Sequence, residues 1–128
     1  GLNENEARKL LAAIATHRGT PAPGELPLFE VCSQIFEAIS VDYLLVHPLD
    51  CCYLASSQGV QRVAGCLVKK PLISTGGGYN LNAGFCAGLL AGLEPLQAAL
   101  LGMATSGAYV SDGKSPDTAR LLDYLEGW

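Results

Sequence analysis

The chain has 128 residues, of which 49% are hydrophobic, so it is one domain's worth of sequence with enough apolar content to bury a real core. Its formal net charge is -4 and only 16% of its residues are charged. That leaves no basic surplus for phosphate-backbone contacts and argues against a nucleic-acid partner.

Leu2 to Gly19 places apolar residues at Leu10, Leu11 and Ile14 with alanines between, which is helical spacing. Asn3 is a good N-cap, Glu6 follows three residues later, and Gly19 can close the C-terminus. Residues 20–27, TPAPGELP, have linker composition. A second amphipathic helix is predicted from Leu28, with Phe29, Val31, Cys32, Ile35, Phe36 and Ile39 on its inner side. DYLLVHP is a short apolar strand, and CYLASS and VQRVAGC, joined around Gly59, read as a hairpin or two successive strands. PLIST, at residues 71–75, reads as another short strand running into Gly76, Gly77 and Gly78. Two helices follow, over about 79–92 and 95–110, and a last one at 117–126 is opened by Ser115-Pro116.

These elements predict an α/β fold whose sheet of three or four short strands is flanked by five helices, a lopsided count for a self-contained domain. The chain opens at a helix cap with no strand before it. It is therefore expected to be a piece of a larger protein, with Gly1 a tag remnant. The five cysteines, Cys32, Cys51, Cys52, Cys66 and Cys86, show no CxxC spacing. Adjacent Cys51 and Cys52 would point to opposite faces of a strand, which suits neither zinc nor an easy disulfide. All five are expected to be buried, reduced thiols in a cytoplasmic protein. Residues 81–110 are the most apolar region, but Glu94-Pro95 and several glycines break it. Two buried helices explain it better than a membrane span.

The stretch LISTGGGYNLNAGF carries the chemistry. A strand, three glycines and a helix start aim several N–H groups at one spot, backed by the positive end of the helix dipole. An anion-binding loop and a plain strand-to-helix turn both fit this pattern. Two nucleotide motifs fail: a GxGxxG beginning at Gly76 would need glycine at Leu81, and a P-loop ending in Gly113-Lys114-Ser115 would need glycine at Ala108.

STGGGYNLNAGFCAGLLAG resembles the C-terminal signature of the ribokinase-like (PfkB) carbohydrate kinases, approximately T-x-G-A-G-D-x-F-x-A-G-F. Ser74, Gly76, Gly78, Ala83, Gly84 and Phe85 fall in register. LNENE resembles the N-x-x-E motif of that family through Asn3 and Glu6, and LLGMATSGAYVSDGKSP resembles the stretch that helps form its nucleotide pocket. The resemblance implies the C-terminal half of a three-layer α/β/α domain, a partial ribokinase-like fold. Residues 1–128 would be its nucleotide-binding portion, without the N-terminal sugar-binding half and lid. It implies ATP-dependent phosphorylation of a sugar or nucleoside hydroxyl, with ATP and Mg2+ as cofactors. Gly76, Gly77 and Gly78 would form the anion hole, Asn3 and Glu6 the metal and phosphate group, and Thr75, Asn80, His47 and Met103 would line the nucleotide site.

Departures from the family pattern carry their own implications. Tyr79 occupies the position of the catalytic aspartate, and a phenol is a poor proton acceptor at neutral pH. Leu81 replaces a phenylalanine, His47-Pro48-Leu49 stands where a T-x-G turn is usual, and Met103 replaces a frequent asparagine. The chain alone is therefore expected to be inactive. The alternative is a degenerate, non-catalytic relative that binds a nucleotide or anion, or serves as a regulatory or interaction module. Exposed sheet edges and helix faces would favour self-association.

Plainer readings of the same residues stand beside these. Asn3-x-x-Glu6 is also a capping box, His17 suits a helix C-terminus, and His47 can simply end a strand. Tyr79 can pack over its loop, and Asn80 and Asn82 can cap their helix.

Overall fold

Asn3 ends the first strand and starts the first helix. Its side-chain Oδ1 accepts from the Glu6 N–H at 2.9 Å, and the Glu6 Oε2 accepts from the Asn3 N–H at 2.8 Å. Both arms of the expected capping box are therefore present. In the computed structural model, which describes residues 1–65 and 67–128, the order is β1 (Leu2–Asn3), α1 (Glu4–His17), α2 (Leu28–Ala38), β2 (Leu44–His47), β3 (Cys51–Ser56), β4 (Gly59–Ala64), α3 (Gly77–Leu90), α4 (Pro95–Asp112) and α5 (Thr118–Glu126). The sheet order is β1-β2-β3-β4, with β1 parallel and β3 antiparallel to β2. The chain is thus α/β, as expected, with a mixed four-stranded sheet. It divides into two compact units, residues 1–48 with 53–62 and residues 49–52 with 63–128.

In the first unit, α1 ends on Gly19 with φ 67°. The Gly19 N–H reaches the Thr16 carbonyl and the Thr20 N–H the Ala15 carbonyl, at 3.1 and 3.0 Å. This is a Schellman closure, in which the left-handed residue is the one predicted. Ala7 and Leu11 of α1 and Val31, Cys32 and Ile35 of α2 pack with Leu44, Val46 and Ala55 of the sheet. Burying Ile35 completely contributes about 2 kcal/mol by transfer alone. On the opposite face of the strands, the register partners Leu45 and Leu54 are buried as well. Phe29, expected on the inner side of α2, is instead 48% exposed. Leu28 packs against the core in its place, because the stripe follows positions 28, 31, 32 and 35 and leaves residue 29 at its margin.

In the second unit, α3 and α4 meet backbone to backbone. A Cβ on Gly102 would lie 2.7 Å from the Leu81 carbonyl oxygen, and one on Gly84 would lie 2.8 Å from the Gly102 Cα. Leu81, Phe85, Ala98, Ala99, Ala104 and Ala108 are buried in the same unit. The helix α5 is held on α4 by a forked pair, Arg120 Nε to Asp112 Oδ2 at 2.6 Å and Arg120 Nη2 to Asp112 Oδ1 at 3.1 Å. Gly107 leaves room for the Tyr124 hydroxyl. The cap of α5 is Asp117, which accepts from the Arg120 N–H at 2.9 Å, and not Ser115-Pro116 as expected.

Two strand expectations change. A strand does precede the first cap: Leu2 and Asn3 pair in parallel with Val46 and His47. PLIST forms none, because the Leu72 and Ile73 N–H groups both turn to the Val110 carbonyl, at 2.8 and 3.3 Å. That oxygen belongs to the last turn of α4, where a carbonyl has no intrahelical partner and needs a donor. The cysteines also divide. Cys32, Cys51 and Cys52 are buried and Cys86 is exposed, and none of these four is bridged. Cys66 lies outside the described residues. Among the described residues no helix is long and apolar enough to cross a membrane.

Candidate functional site

The candidate residues fall into two groups, one in each unit. In the first unit, the parallel pairing of β1 with β2 makes Asn3 and His47 register partners. The capping box fixes Glu6 beside Asn3, so sequence positions 3, 6 and 47 come together. Burial lowers the His47 pKa below its ordinary value; the Glu6 carboxylate pulls the other way and the chain's N-terminal ammonium adds to the lowering. A neutral imidazole therefore stands beside a carboxylate whose Oε2 is already engaged by the Asn3 N–H.

Among the described residues, no group of three or more His, Cys, Asp or Glu side chains could hold a metal ion. Mg2+ usually takes one or two carboxylates and completes its shell with water and substrate phosphates. Glu6 and Asn3 offer hard oxygen donors of that kind, so they fit an ion that arrives with a nucleotide and not one caged by the chain. A hollow of about 860 Å3 in the same unit is lined by Arg8, Leu11, Leu26 and Val31 among others, and holds none of the candidate residues. Arg8 is committed there to Glu4 Oε1 and the Leu26 carbonyl.

The second group is the glycine loop. Gly76 caps α3 with φ 98° and ψ -8°, a conformation that disfavours any residue with a Cβ. The Gly77 N–H reaches back to the Ser74 carbonyl at 3.3 Å. Asn80 fastens the loop from inside the helix, its backbone N–H at 3.1 Å and its side-chain Nδ2 at 3.0 Å both donating to the Gly76 carbonyl. Asn80 is thus a loop fastener in this structure. The N–H groups of Gly78 and Tyr79 open the helix with no backbone acceptor one turn back, and that of Gly77 is held only by the long bond to Ser74, so this end of α3 suits an anion.

Tyr79 is 81% exposed beside these donors and does not pack over the loop. Thr75 is exposed, and its carbonyl accepts from the Tyr109 hydroxyl at 3.0 Å. Met103 is nearly fully buried, with its Cε against Gly65.

Sequence reasoning missed the scaffold beneath the loop. A Cβ on Gly76 would lie 2.6 Å from the Tyr109 hydroxyl, and one on Gly77 would lie 3.2 Å from Val110 Cγ1 and 3.3 Å from Ser106 Oγ. Ser106, Tyr109 and Val110 sit three and four residues apart on one face of α4. Nothing in the local pattern of residues 72–80 points to them.

The sequence pattern of the family described as prokaryotic ketohexokinase matches residues 2–128. No curated protein matches the chain. Among solved structures, the chain resembles the ribokinase of Thermotoga maritima at 19% identity and a TM-score of 0.77, covering 97% of this chain and 40% of that one. It resembles the nucleoside kinase of Methanocaldococcus jannaschii at 17% identity and a TM-score of 0.68, over 98% and 38% of the two chains. Against the adenosine kinase of Sinorhizobium meliloti the identity is 15% and the TM-score 0.69, over 99% and 35%. The chain thus corresponds to 35–40% of the length of these proteins and shares their fold over that part.

Proposed function

The chain belongs to the prokaryotic ketohexokinase family, and on that premise we propose that it supplies the anion hole and nucleotide-binding part of a kinase acting on a sugar or nucleoside hydroxyl. The family name favours a ketohexose. The observation that carries this reading is the family match combined with the helix-opening N–H groups of Gly78 and Tyr79, which have no backbone acceptor one turn back.

In the reaction, the substrate hydroxyl oxygen attacks the γ-phosphorus of ATP, the bond to the bridging oxygen of ADP breaks, and the hydroxyl proton leaves to a base. The loop N–H groups would stabilise charge on the transferring group, which is the main contribution a protein makes to such chemistry. Asn3 and Glu6 would orient the nucleotide's Mg2+, which neutralises phosphate charge. His47, Thr75 and Met103 are proposed to support the nucleotide site, Met103 from beneath the surface. No carboxylate stands at position 79, so the chain as it is has no phosphoryl transfer activity on this reading.

A second reading, a non-catalytic relative that binds a nucleotide or anion, is favoured by the tyrosine at that position. ATP turnover with ketohexoses, other sugars and nucleosides, measured for the natural full-length protein and its Tyr79→Asp variant, separates the two. Turnover gained by the variant supports the kinase reading. Calorimetry that detects no MgATP binding to either protein overturns the kinase reading and leaves only the non-catalytic one.

Leu49, Leu72 and Leu90 are each at least 74% exposed, which supports association with another polypeptide surface or with further copies of the chain. Light scattering that finds a clean monomer at high concentration would refute self-association.

A further inference from the structure

The Ser74–Gly77 segment is a β-turn whose central peptide joins Thr75 to Gly76. The φ of 98° and ψ of -8° at Gly76 are those of the third residue of a type II turn. Types I and II differ by rotation of that central peptide, which exchanges the directions of its carbonyl and its N–H. The turn's own hydrogen bond, from the Gly77 N–H to the Ser74 carbonyl, is 3.3 Å long, beyond the usual range for such bonds. Glycine accepts either sign of φ. Glycine at the third position favours type II without forbidding type I, and the long turn bond holds the choice only weakly.

Tyr109 makes the selection from outside the turn. Its hydroxyl donates to the Thr75 carbonyl at 3.0 Å. Its ring lies against Gly76, where an added Cβ would be 3.0 Å from Cζ and 3.1 Å from Cε1. A peptide is planar and trans, so its C=O and N–H point in opposite directions. Holding the Thr75 carbonyl towards α4 turns the Gly76 N–H away from α4. The opposite orientation would offer a carbonyl oxygen, which repels an anion, where an N–H attracts one.

We propose that Tyr109 is a positioning residue whose hydroxyl locks the Thr75–Gly76 peptide so that the Gly76 N–H faces a bound phosphoryl group. This rests on the reading of the loop as an anion hole. It adds a donor outside the helix to those of Gly78 and Tyr79 that open α3, and it makes that donor's direction depend on a residue 34 positions downstream of Thr75.

Tyr109→Phe keeps the ring over Gly76 and removes only the hydroxyl, so it is the informative variant. The full 128-residue chain is titrated with inorganic tripolyphosphate by calorimetry. The turn is followed by NMR through the Gly76 amide resonance and the strong Thr75 Hα to Gly76 HN contact that marks a type II turn. The expected result is an affinity about five- to tenfold weaker, the size of one lost hydrogen bond. It is accompanied by a shifted Gly76 resonance, a weakened Hα–HN contact and a melting temperature close to that of the parent chain. A merely structural tyrosine would move the melting temperature and leave the turn type alone. Equal affinity in the two proteins, or weaker affinity with the Gly76 signals unchanged, overturns the proposal while leaving the anion-hole reading intact. Failure of the unmodified chain to bind tripolyphosphate overturns both.

Should Tyr109→Phe fold poorly, the unmodified chain still decides the matter. Tripolyphosphate must shift the Gly76 amide resonance while the Hα–HN contact stays strong. Loss of that contact on binding, or a Gly76 resonance that does not respond, overturns the lock.

Discussion

Asn3 and His47 are register partners across the parallel β1–β2 pair, and the Glu6 carboxylate acts on the same imidazole. The lowered His47 pKa, caused first by burial, has a definite consequence for stability. The unfolded chain binds a proton at an ordinary histidine pKa near 6.5, whereas the folded chain binds it only at lower pH. Stability is therefore retained above that value and is lost as pH falls from it through the folded pKa. Melting temperatures recorded between pH 8 and pH 5 should decline on the acid side, and His47→Gln should flatten that part of the curve.

Asn3→Ala removes one arm of the capping box and should cost about 0.5–2 kcal/mol. Asn3→Ser keeps a cap and should cost much less. Urea unfolding of both variants measures the stability term, and MgATP titration of Asn3→Ser isolates the ligand term. A serine variant of parental stability but weakened MgATP binding would assign Asn3 a role beyond its cap.

Gly76→Ala meets two obstacles at once, a positive φ and the Tyr109 hydroxyl 2.6 Å from the new Cβ. The left-handed conformation alone costs about 1–2 kcal/mol. The variant should therefore unfold at lower denaturant and lose tripolyphosphate binding. An unchanged midpoint would show that the loop does not hold this conformation in solution.

Gly102→Ala places a Cβ 2.7 Å from the Leu81 carbonyl oxygen, which is helix backbone and cannot swing aside. The helices must separate, at a cost of about 1–3 kcal/mol typical of overpacking. Denaturant unfolding should show a lower midpoint with an unchanged slope.

The thiols offer a chemical check. Burial pushes the Cys32 thiol up to about 11, while Cys86 is exposed. A thiol reacts as its thiolate, so brief treatment of the native chain with iodoacetamide should modify Cys86 and spare Cys32. Peptide mass spectrometry reads both positions, and Cys32 should become reactive only in denaturant.

What the sequence made legible was local. The capping box, the left-handed Gly19 and the helix following the glycines all depend on residues within four positions of one another. The parallel strand β1 was not legible because two residues carry no periodicity, and their partners, Val46 and His47, lie 44 positions away. PLIST has the apolar run of a strand, but its donors were claimed by the Val110 carbonyl of a distant helix end. The same limit applies at the candidate site. The glycines and the odd residue Tyr79 stood out in the sequence, whereas Tyr109 was not singled out within its stretch, because its partner Thr75 lies 34 positions away. Phe29 and Cys86 were misplaced for a related reason, since periodicity alone does not set the margins of a buried stripe.

The hydrogen bond between Tyr109 and Thr75 spans 34 positions, so the loop draws on a distant helix as well as on its own fastening by Asn80. On the proposed lock, the Thr75–Gly76 peptide would take its final orientation only once α4 has docked on α3. A nascent chain still emerging with α4 incomplete would carry the glycine signature without a formed site. Ligand capture would then be a late event, coupled to helix docking. A phosphate compound that binds only the docked state would stabilise it by mass action, in proportion to the logarithm of its concentration.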